Sequence, residues 1–557
     1  MRTRVLSVLS VVGYLSAVTQ AAEPMPSLDA PAVQAETASA SQRLLERANR
    51  PVMTSDINSN KSMTALPKDE IAFPIHQIDV GSKDSHFKYL RHALSSYEGQ
   101  NIGQKGIEQL SKLVQERLLS DGYITSRVIV PNQDLTKGKL TLEVIPGYIE
   151  DIEMKNPSMR GNWRAAFPLR PHDVLQRDAL EQGVDQMRAV VGQDIKVTIE
   201  PGEKENTSRI ILDPIQKGYI HGGFTIDDAG YEATGKVQGT TYLSISQLLV
   251  LQDTLQASYT KDLERHDSRY GSDQYSISYR IPQGNTSYRV AAYKYKYHQT
   301  VAAITPFLSE GTTKGMEFGA ERLINRTSRT KTTGIAKIIH KERHNFLNGE
   351  ELGVQEQHTT ALEIGLSHRK YKGNTAFDIY SFYRQGVPWL GAKEQEWEGI
   401  GDNPTSRYHL WGLEGQIQSR IRIGHKQGMH TLRFRSQFTD NHLLGTDQFS
   451  IGGRYTVRGF SGEQTLRGES GYYVQNEWSI PFSKGHIAPY IGVDVGHVWG
   501  PSTDWQVGTT LMGTVLGVRG SIGNGLSYDV FVGKPLQKPE GFKADANVWG
   551  FSLGYHW

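Results

Sequence analysis

The chain of 557 residues contains no cysteine. That excludes a disulfide framework, a cysteine-ligated zinc or iron–sulfur centre, and thiol catalysis. An excess of charge of one sign is also missing. Against 61 Lys and Arg stand 59 Asp and Glu, a formal net of +2, so no basic field points to nucleic acid as a partner. Hydrophobic residues make up 37%, the mean hydropathy is −0.48, and beyond the N-terminus no apolar run approaches the length of about 18 residues that a membrane helix needs. A membrane β-barrel stays open, because it needs apolar residues only at alternate strand positions. At roughly 150 residues per domain the length suggests three or four domains.

Residues 1–21 read as a secretory signal peptide. Arg2 and Arg4 supply the positive start, Val5 to Val18 the apolar run, and Thr19-Gln20-Ala21 the small residues before a cleavage site. The mature chain is therefore expected to be exported. Residues 28–50 are rich in helix formers, with Leu44 and Leu45 the only large apolar side chains from Gln34 to Arg47. Such a helix lacks a wide apolar face and suits a polar, water-filled surround; a frayed leader is the alternative. Residues 51–72 have no periodicity and read as a linker.

From Phe73 the pattern becomes mixed α/β. Phe73, Ile75, Ile78 and Val80 suggest one short strand. Ile107, Leu110, Leu113, Val114, Leu118 and Leu119 mark an amphipathic helix closed by Gly122. Tyr123 to Val130 and Leu140 to Ile145 read as strands. A second copy of the order follows: a strand at 149–154, a helix along Leu180, Val184, Met187, Val190 and Val191, then strands at 195–199 and 209–212. Residues 73–147 and 148–213 are thus two small α/β modules.

From Pro214 to Trp557 short alternating runs replace the helical period. Tyr275, Ile277 and Tyr279 alternate with serines. Ala291, Tyr293, Tyr295 and Tyr297 enclose Lys294 and Lys296. Leu362, Ile364 and Leu366 alternate with Glu363, Gly365 and Ser367; Leu432 and Phe434 alternate with Arg433 and Arg435. Charges on one face and Tyr, Leu or Ile on the other fit a lumen and a lipid side. The segment from Val548 to Trp557 alternates and ends on Tyr555 and Trp557, as last strands of bacterial outer-membrane barrels do. At roughly 20 residues per strand and connection, residues 214–557 hold about 16 to 18 strands. An exported sandwich, propeller or β-helix fits less well, because loop lengths are uneven and aromatics gather near strand ends. The fold class expected is mainly β, a C-terminal transmembrane antiparallel barrel of about 16 strands behind two α/β modules.

Two short motifs carry a resemblance. Val457-Arg458-Gly459-Phe460 matches the V-R-G-[FY] loop motif of the outer-membrane assembly-factor and two-partner-secretion superfamily, and Gly492-Val493-Asp494-Val495-Gly496 its [FG]-x-D-x-G strand motif. Gly122 to Arg127, Pro131 to Leu135 and Val144 to Gly147 resemble the first POTRA (polypeptide-transport-associated) module of the TpsB transporters. Asp227-Asp228-Ala229-Gly230 resembles their first barrel strand and turn, and Gly471-Tyr472-Tyr473 with Asn476-Glu477 the segment after the loop motif. Two modules favour TpsB over the BamA-type insertase. The helix at 28–50 sits where that family has its plug. Arg458 presents a rigid fork that Asp494 can accept bidentately, which would pin a loop tip to the barrel wall.

The resemblance implies an outer-membrane pore, not an enzyme, that carries a large TpsA-type exoprotein: a contact-dependent inhibitor, haemolysin or adhesin. It implies periplasmic POTRA modules, with substrate docking at Tyr123, Arg127, Val128 and Val130 by strand addition to an open edge. It also implies lipid and lipopolysaccharide around the barrel, and a barrel assembly machinery that reads Tyr555 and Trp557. No cofactor, metal or nucleic acid is expected. A general insertase or a passive porin or receptor are the other readings; the latter leaves residues 73–213 unexplained. Gly230 to Val237 nearly spells a phosphate loop but lacks its Ser/Thr. His425 and His430 are too far apart for a zincin pair.

Overall fold

The computed structural model describes residues 30–48, 65–82, 84, 87–264, 269–301, 305–482, 485–523 and 525–557. The expected signal peptide and most of the expected linker lie outside them.

Helix α1 (Ala30–Ala48) comes first. The first α/β module follows. Its main sheet places Gln77–Ser82 parallel to the central Lys139–Ile145 strand, with Arg127–Ile129 on the far edge. Helix α3 (Gln104–Ser120), after the short α2 (Leu90–Leu94), buries Leu110, Val114 and Leu118 against Ile78, Leu140, Leu142 and Val144. The spacing of four between those helix residues is what puts them on one face. Two expectations change here. Phe73 to Val80 is not one strand: Ala72–Ile75 pairs with Gln100–Gly103, and only Gln77–Ser82 joins the main sheet. The strand expected over Tyr123 to Val130 shrinks to Arg127–Ile129, because the backbone turns after α3, where Gly122 has φ +91° and Tyr123 N–H bonds back to Leu118.

The second module sets Tyr148–Met154 parallel to Thr207–Gln216, which pairs antiparallel with Gln193–Pro201. Its helix, α5 (Arg177–Arg188, after the short α4, Trp163–Ala166), is buried on two sides. Leu180, Val184 and Met187 pack on the sheet. Glu181, Asp185 and Gln186 meet the barrel. The expected boundary at residue 213 falls inside the last strand of this module, and the barrel begins at Ile220.

Sixteen antiparallel strands, from Ile220–Asp227 to Val548–His556, pair each with its neighbour in sequence, and the last closes on the first through Ser552↔Asp227 to His556↔Gly223. An even strand number returns the chain to the side it started from, where the modules sit. Ile277, Met316, Phe318, Ile364 and Leu516 stand on the outer wall, each about half exposed or more (50%, 59%, 48%, 56% and 58%), as a lipid-facing band should. Glu363, by contrast, points inward and meets Lys337, Arg384 and Tyr380. Arg435 likewise meets Glu414. One strand is turned the other way from expectation. On Thr286–Val301, Tyr293, Tyr295 and Tyr297 face the lumen, where Tyr293 and Gly315 are neighbours of Lys341, while Tyr288 and Lys294 lie on the other face, Lys294 opposite outward Tyr275. Alternation identifies two faces but not which is wet. Here the lumen holds a helix, so tyrosines are buried inside.

Candidate functional site

Helix α1 crosses the lumen. Glu36 accepts two hydrogen bonds from Lys341 Nζ (2.8 and 2.9 Å), and Lys341 also lies 3.6 Å from Asp447. Gln34 donates to Ala229 O at 3.3 Å and lies against Gly462. The helix has a polar seat, as its shortage of large apolar residues suggested, and a cavity of about 240 Å³ separates it from the wall.

The chain between Phe438 and Ser470 folds back into the same lumen. It makes a hairpin, Phe449–Ile451 with Leu466–Gly468, and buries Phe449, Ile451, Val457, Phe460 and Leu466 against Val498, Leu511 and Phe542. Phe460 meets Phe542 edge to face with ring centres 5.7 Å apart. This apolar knot holds the tip, and Arg458 then reaches the wall. Its Nε and Nη2 donate to the two oxygens of Asp494 at 2.7 and 2.9 Å, and its backbone N–H donates to Asp494 Oδ2 at 2.9 Å. Asp494 is fully buried. The bidentate pair expected from the motifs is present.

Three parts of the site were not legible. Glu477, noted only as part of a matching segment, accepts from Arg458 Nη1 at 2.5 Å and from Arg519 as well. Arg458 is therefore shared between two carboxylates on adjacent strands. Two glycines beyond the motif, Gly513 and Gly533, complete the seat that the motif's own Gly492 and Gly496 begin. A Cβ on Gly492 would come within 2.6 Å of Arg458 Nη2, and one on Gly513 within 1.9 Å of Arg458 O. Gly496 faces Val457 and Ile451, and Gly533 faces Gly459, whose φ of +109° no side chain adopts comfortably. The third part is Arg454, which donates to Asp228 at 2.9 Å and to Phe551 O. This ties the loop to the seam between first and last strands. The near phosphate loop at Gly230 to Val237 is the turn of that first hairpin, with Lys236 paired to Glu232.

The residues expected to dock substrate are dispersed. Arg127 and Val128 lie on the edge strand and Val130 just past it, 42% exposed. Tyr123 is not on the edge. Its ring packs on Phe87 at 4.8 Å, and burial, with Asp121, Asp84 and Asp178 nearby, pushes its phenol above the ordinary value. Arg127 donates to Asn206 of the second module at 2.9 Å. The edge itself is covered. Gln115 of α3 accepts from Val128 N–H at 2.9 Å and donates to Ser126 O at 3.1 Å, so one amide side chain stands in for a strand partner. Tyr555 and Trp557 stack at 6.2 Å on the outer wall, 53% and 58% exposed.

Residues 206–520 match the family described as haemolysin secretion/activation protein ShlB/FhaC/HecB, residues 73–147 a ShlB-type POTRA domain and residues 148–201 a POTRA domain. The chain is 32% identical to the outer membrane transporter CdiB-2 of Burkholderia pseudomallei, over 99% of each. It is 26% identical to the haemolysin transporter ShlB of Serratia marcescens, over 86% of this chain and 87% of that one. The solved structure of CdiB from Acinetobacter baumannii superposes with a TM-score of 0.84 at 25% identity, covering 96% of this chain and all of that one.

Proposed function

The chain belongs to the haemolysin secretion/activation family ShlB/FhaC/HecB, and from that premise we propose how its parts divide the work of secretion. It is an outer-membrane two-partner secretion transporter for a CdiA- or haemolysin-type exoprotein, with its POTRA modules in the periplasm, and not an enzyme. The observation that carries the mechanism is a closed barrel whose lumen is filled by two bodies, α1 on a polar seat and the loop around Arg458, held by an apolar knot and an ion cluster. An unfolded chain can pass only after α1 leaves. Lys341, once freed from Glu36, is then a lumenal cation for the passing polypeptide. The Arg458–Asp494–Glu477 cluster keeps the loop pinned while that happens, so the pore opens without the wall losing its brace.

The exoprotein enters at the first module. Its extended backbone would replace Gln115 on the Arg127–Ile129 edge, with Val128 and Val130 beside it, as an added strand. Directional transport then needs no nucleotide, because a chain that folds outside cannot slide back. The partner we favour is of the contact-dependent growth-inhibition type, supported by the similarity over nearly the whole chain. Around the barrel, Lys294 and Lys314 stand side by side on the outer wall next to Ile277 and Met316, placed for lipopolysaccharide phosphates. Tyr555 and Trp557 are the signal for the barrel assembly machinery.

Deleting residues 73–213 tests the division of labour. The barrel should still insert, seen as heat-modifiable migration, while secretion of a co-expressed exoprotein falls to background. Secretion that persists would refute the docking role.

A further inference from the structure

The extracellular end of the hairpin formed by Thr330–Leu347 and Gln357–Lys372 gathers groups that secretion does not use. His344 and His358 share the outward face, since Glu342, two residues from His344, lies directly opposite His358. Their rings are 5.7 Å apart and perpendicular. Glu356, in the connecting loop, meets His358 Nε2 at 2.7 Å. One ligand atom from each of His344, Glu356 and His358 lies within 4.8 Å of the others, the one such grouping among the described residues. All three side chains are open to solvent, 24%, 37% and 21% exposed.

We propose that His344, His358 and Glu356 bind a divalent transition cation of the zinc class and so clamp the extracellular hairpin shut. Two imidazole nitrogens and a carboxylate oxygen make a borderline donor set suited to Zn²⁺, whereas Mg²⁺ or Ca²⁺ would call for oxygen alone. Three protein ligands leave a fourth tetrahedral position for water. Ligands of a tetrahedral zinc with bonds of about 2.0 Å stand about 3.3 Å apart. Small rotations of side chains that are partly free in solvent close the remaining gap.

A partner of the ligands points the same way. His344 Nδ1 is 2.6 Å from Glu351 Oε1, and donating that proton to a carboxylate leaves Nε2 as the metal-binding nitrogen. The loop is already shaped for closure: Asn345 donates to Gln355 at 2.9 Å, and Leu352 N–H to Asn345 O at 2.8 Å. His344 belongs to the outgoing strand, His358 to the return and Glu356 to the loop just before it, so one ion would bridge both sides of residues 348–355.

Untagged full-length protein in detergent, titrated with ZnCl₂ by calorimetry at pH 7.5, should bind one ion per chain. His344→Ala and His358→Ala should each weaken binding at least tenfold, and Glu356→Gln several-fold. Lowering the pH to 5.5 should weaken the wild type, because imidazoles that are protonated cannot ligate. Co²⁺ should give the visible absorption of a four-coordinate site, lost in His344→Ala, and Zn²⁺ should slow amide exchange in residues 345–357. Each variant is checked by heat-modifiable migration, and His344→Gln and His358→Gln serve where an alanine variant does not fold. No saturable Zn²⁺ binding in the wild type, or unchanged binding when either histidine is replaced, overturns the proposal.

Discussion

Arg326, at the periplasmic end of its barrel strand, donates from Nη1 to Asp185 Oδ2 of α5 at 2.6 Å. It also donates from Nε to Glu181 at 3.2 Å, and Lys331 reaches Asp185 at 3.0 Å. All three of Arg326, Glu181 and Asp185 are at least nine-tenths buried. At another turn of the barrel, Gln247 and Gln252 close a ring of amide hydrogen bonds with Gln193 of the module. Ion pairs and amide hydrogen bonds together lock the second module to the barrel mouth.

Arg326→Ala should release that lock. Removing one partner of a buried cluster costs about 3–5 kcal/mol when the others stay buried, enough to populate an undocked module. Because the chain has no cysteine, single cysteines placed in the module and in a barrel turn give one spin-label pair. The expected outcome is a broad distance distribution in Arg326→Ala and a narrow one in the parent. A narrow distribution in both would mean the amide ring suffices.

Arg458→Ala should lower secretion far more than surface level. It strands Asp494 and Glu477 without their shared cation, again about 3–5 kcal/mol, but the apolar knot around Val457 and Phe460 still holds the loop nearby. Arg458→Lys should rescue only partly, because an ammonium cannot make the fork to Asp494 and reach Glu477 at once. Secretion normalised to surface-exposed barrel is the measurement; equal values in all three proteins would reduce the cluster to a structural role.

Glu36→Ala should make α1 leave the lumen more often. The pair with Lys341 is partly exposed, and losing about 1 kcal/mol shifts an equilibrium roughly fivefold. Single-channel recordings in planar bilayers should show a corresponding rise in open time. Lys341→Ala should do the same, and the double variant should add little to either.

Gln115→Ala should uncover the edge at Ser126 to Val128. An extended exoprotein segment then meets free backbone groups without first displacing a side chain. Binding of the purified modules' parent chain to a peptide from the exoprotein's secretion domain, followed by fluorescence anisotropy, should tighten several-fold. Weaker or unchanged binding would place docking at another edge.

Much of this architecture could be read from residue order, for definable reasons. Val457 to Phe460 and Gly492 to Gly496 are local strings, so their pairing was foreseeable. Gly513, Gly533, Glu477 and Arg519 were not, because they join the site only through strand register, which periodicity does not fix. Alternation carries no sign, so Tyr293, Tyr295 and Tyr297 read as lipid-facing; α1, across a cavity from Tyr293 and Tyr295, decides it. The shortened strand at Arg127–Ile129 has a similar origin. β-prone residues from Tyr123 onward are claimed first by the turn that ends α3. The two buried faces of α5 show the same limit, since Glu181 and Asp185 find their partners Arg326 and Lys331 only on the barrel mouth, which no local pattern brings near.

The glycine seat under Arg458 has a further mechanical effect. Glycine inside a strand forgoes side-chain packing and weakens it by about 0.5–1 kcal/mol relative to alanine. Gly492, Gly496, Gly513 and Gly533 do this on three consecutive strands. The cylinder is thus thinnest along the furrow in which the loop rests, and the loop acts there as a splint. A barrel stripped of that segment would sag first between residues 488 and 537, on one flank only.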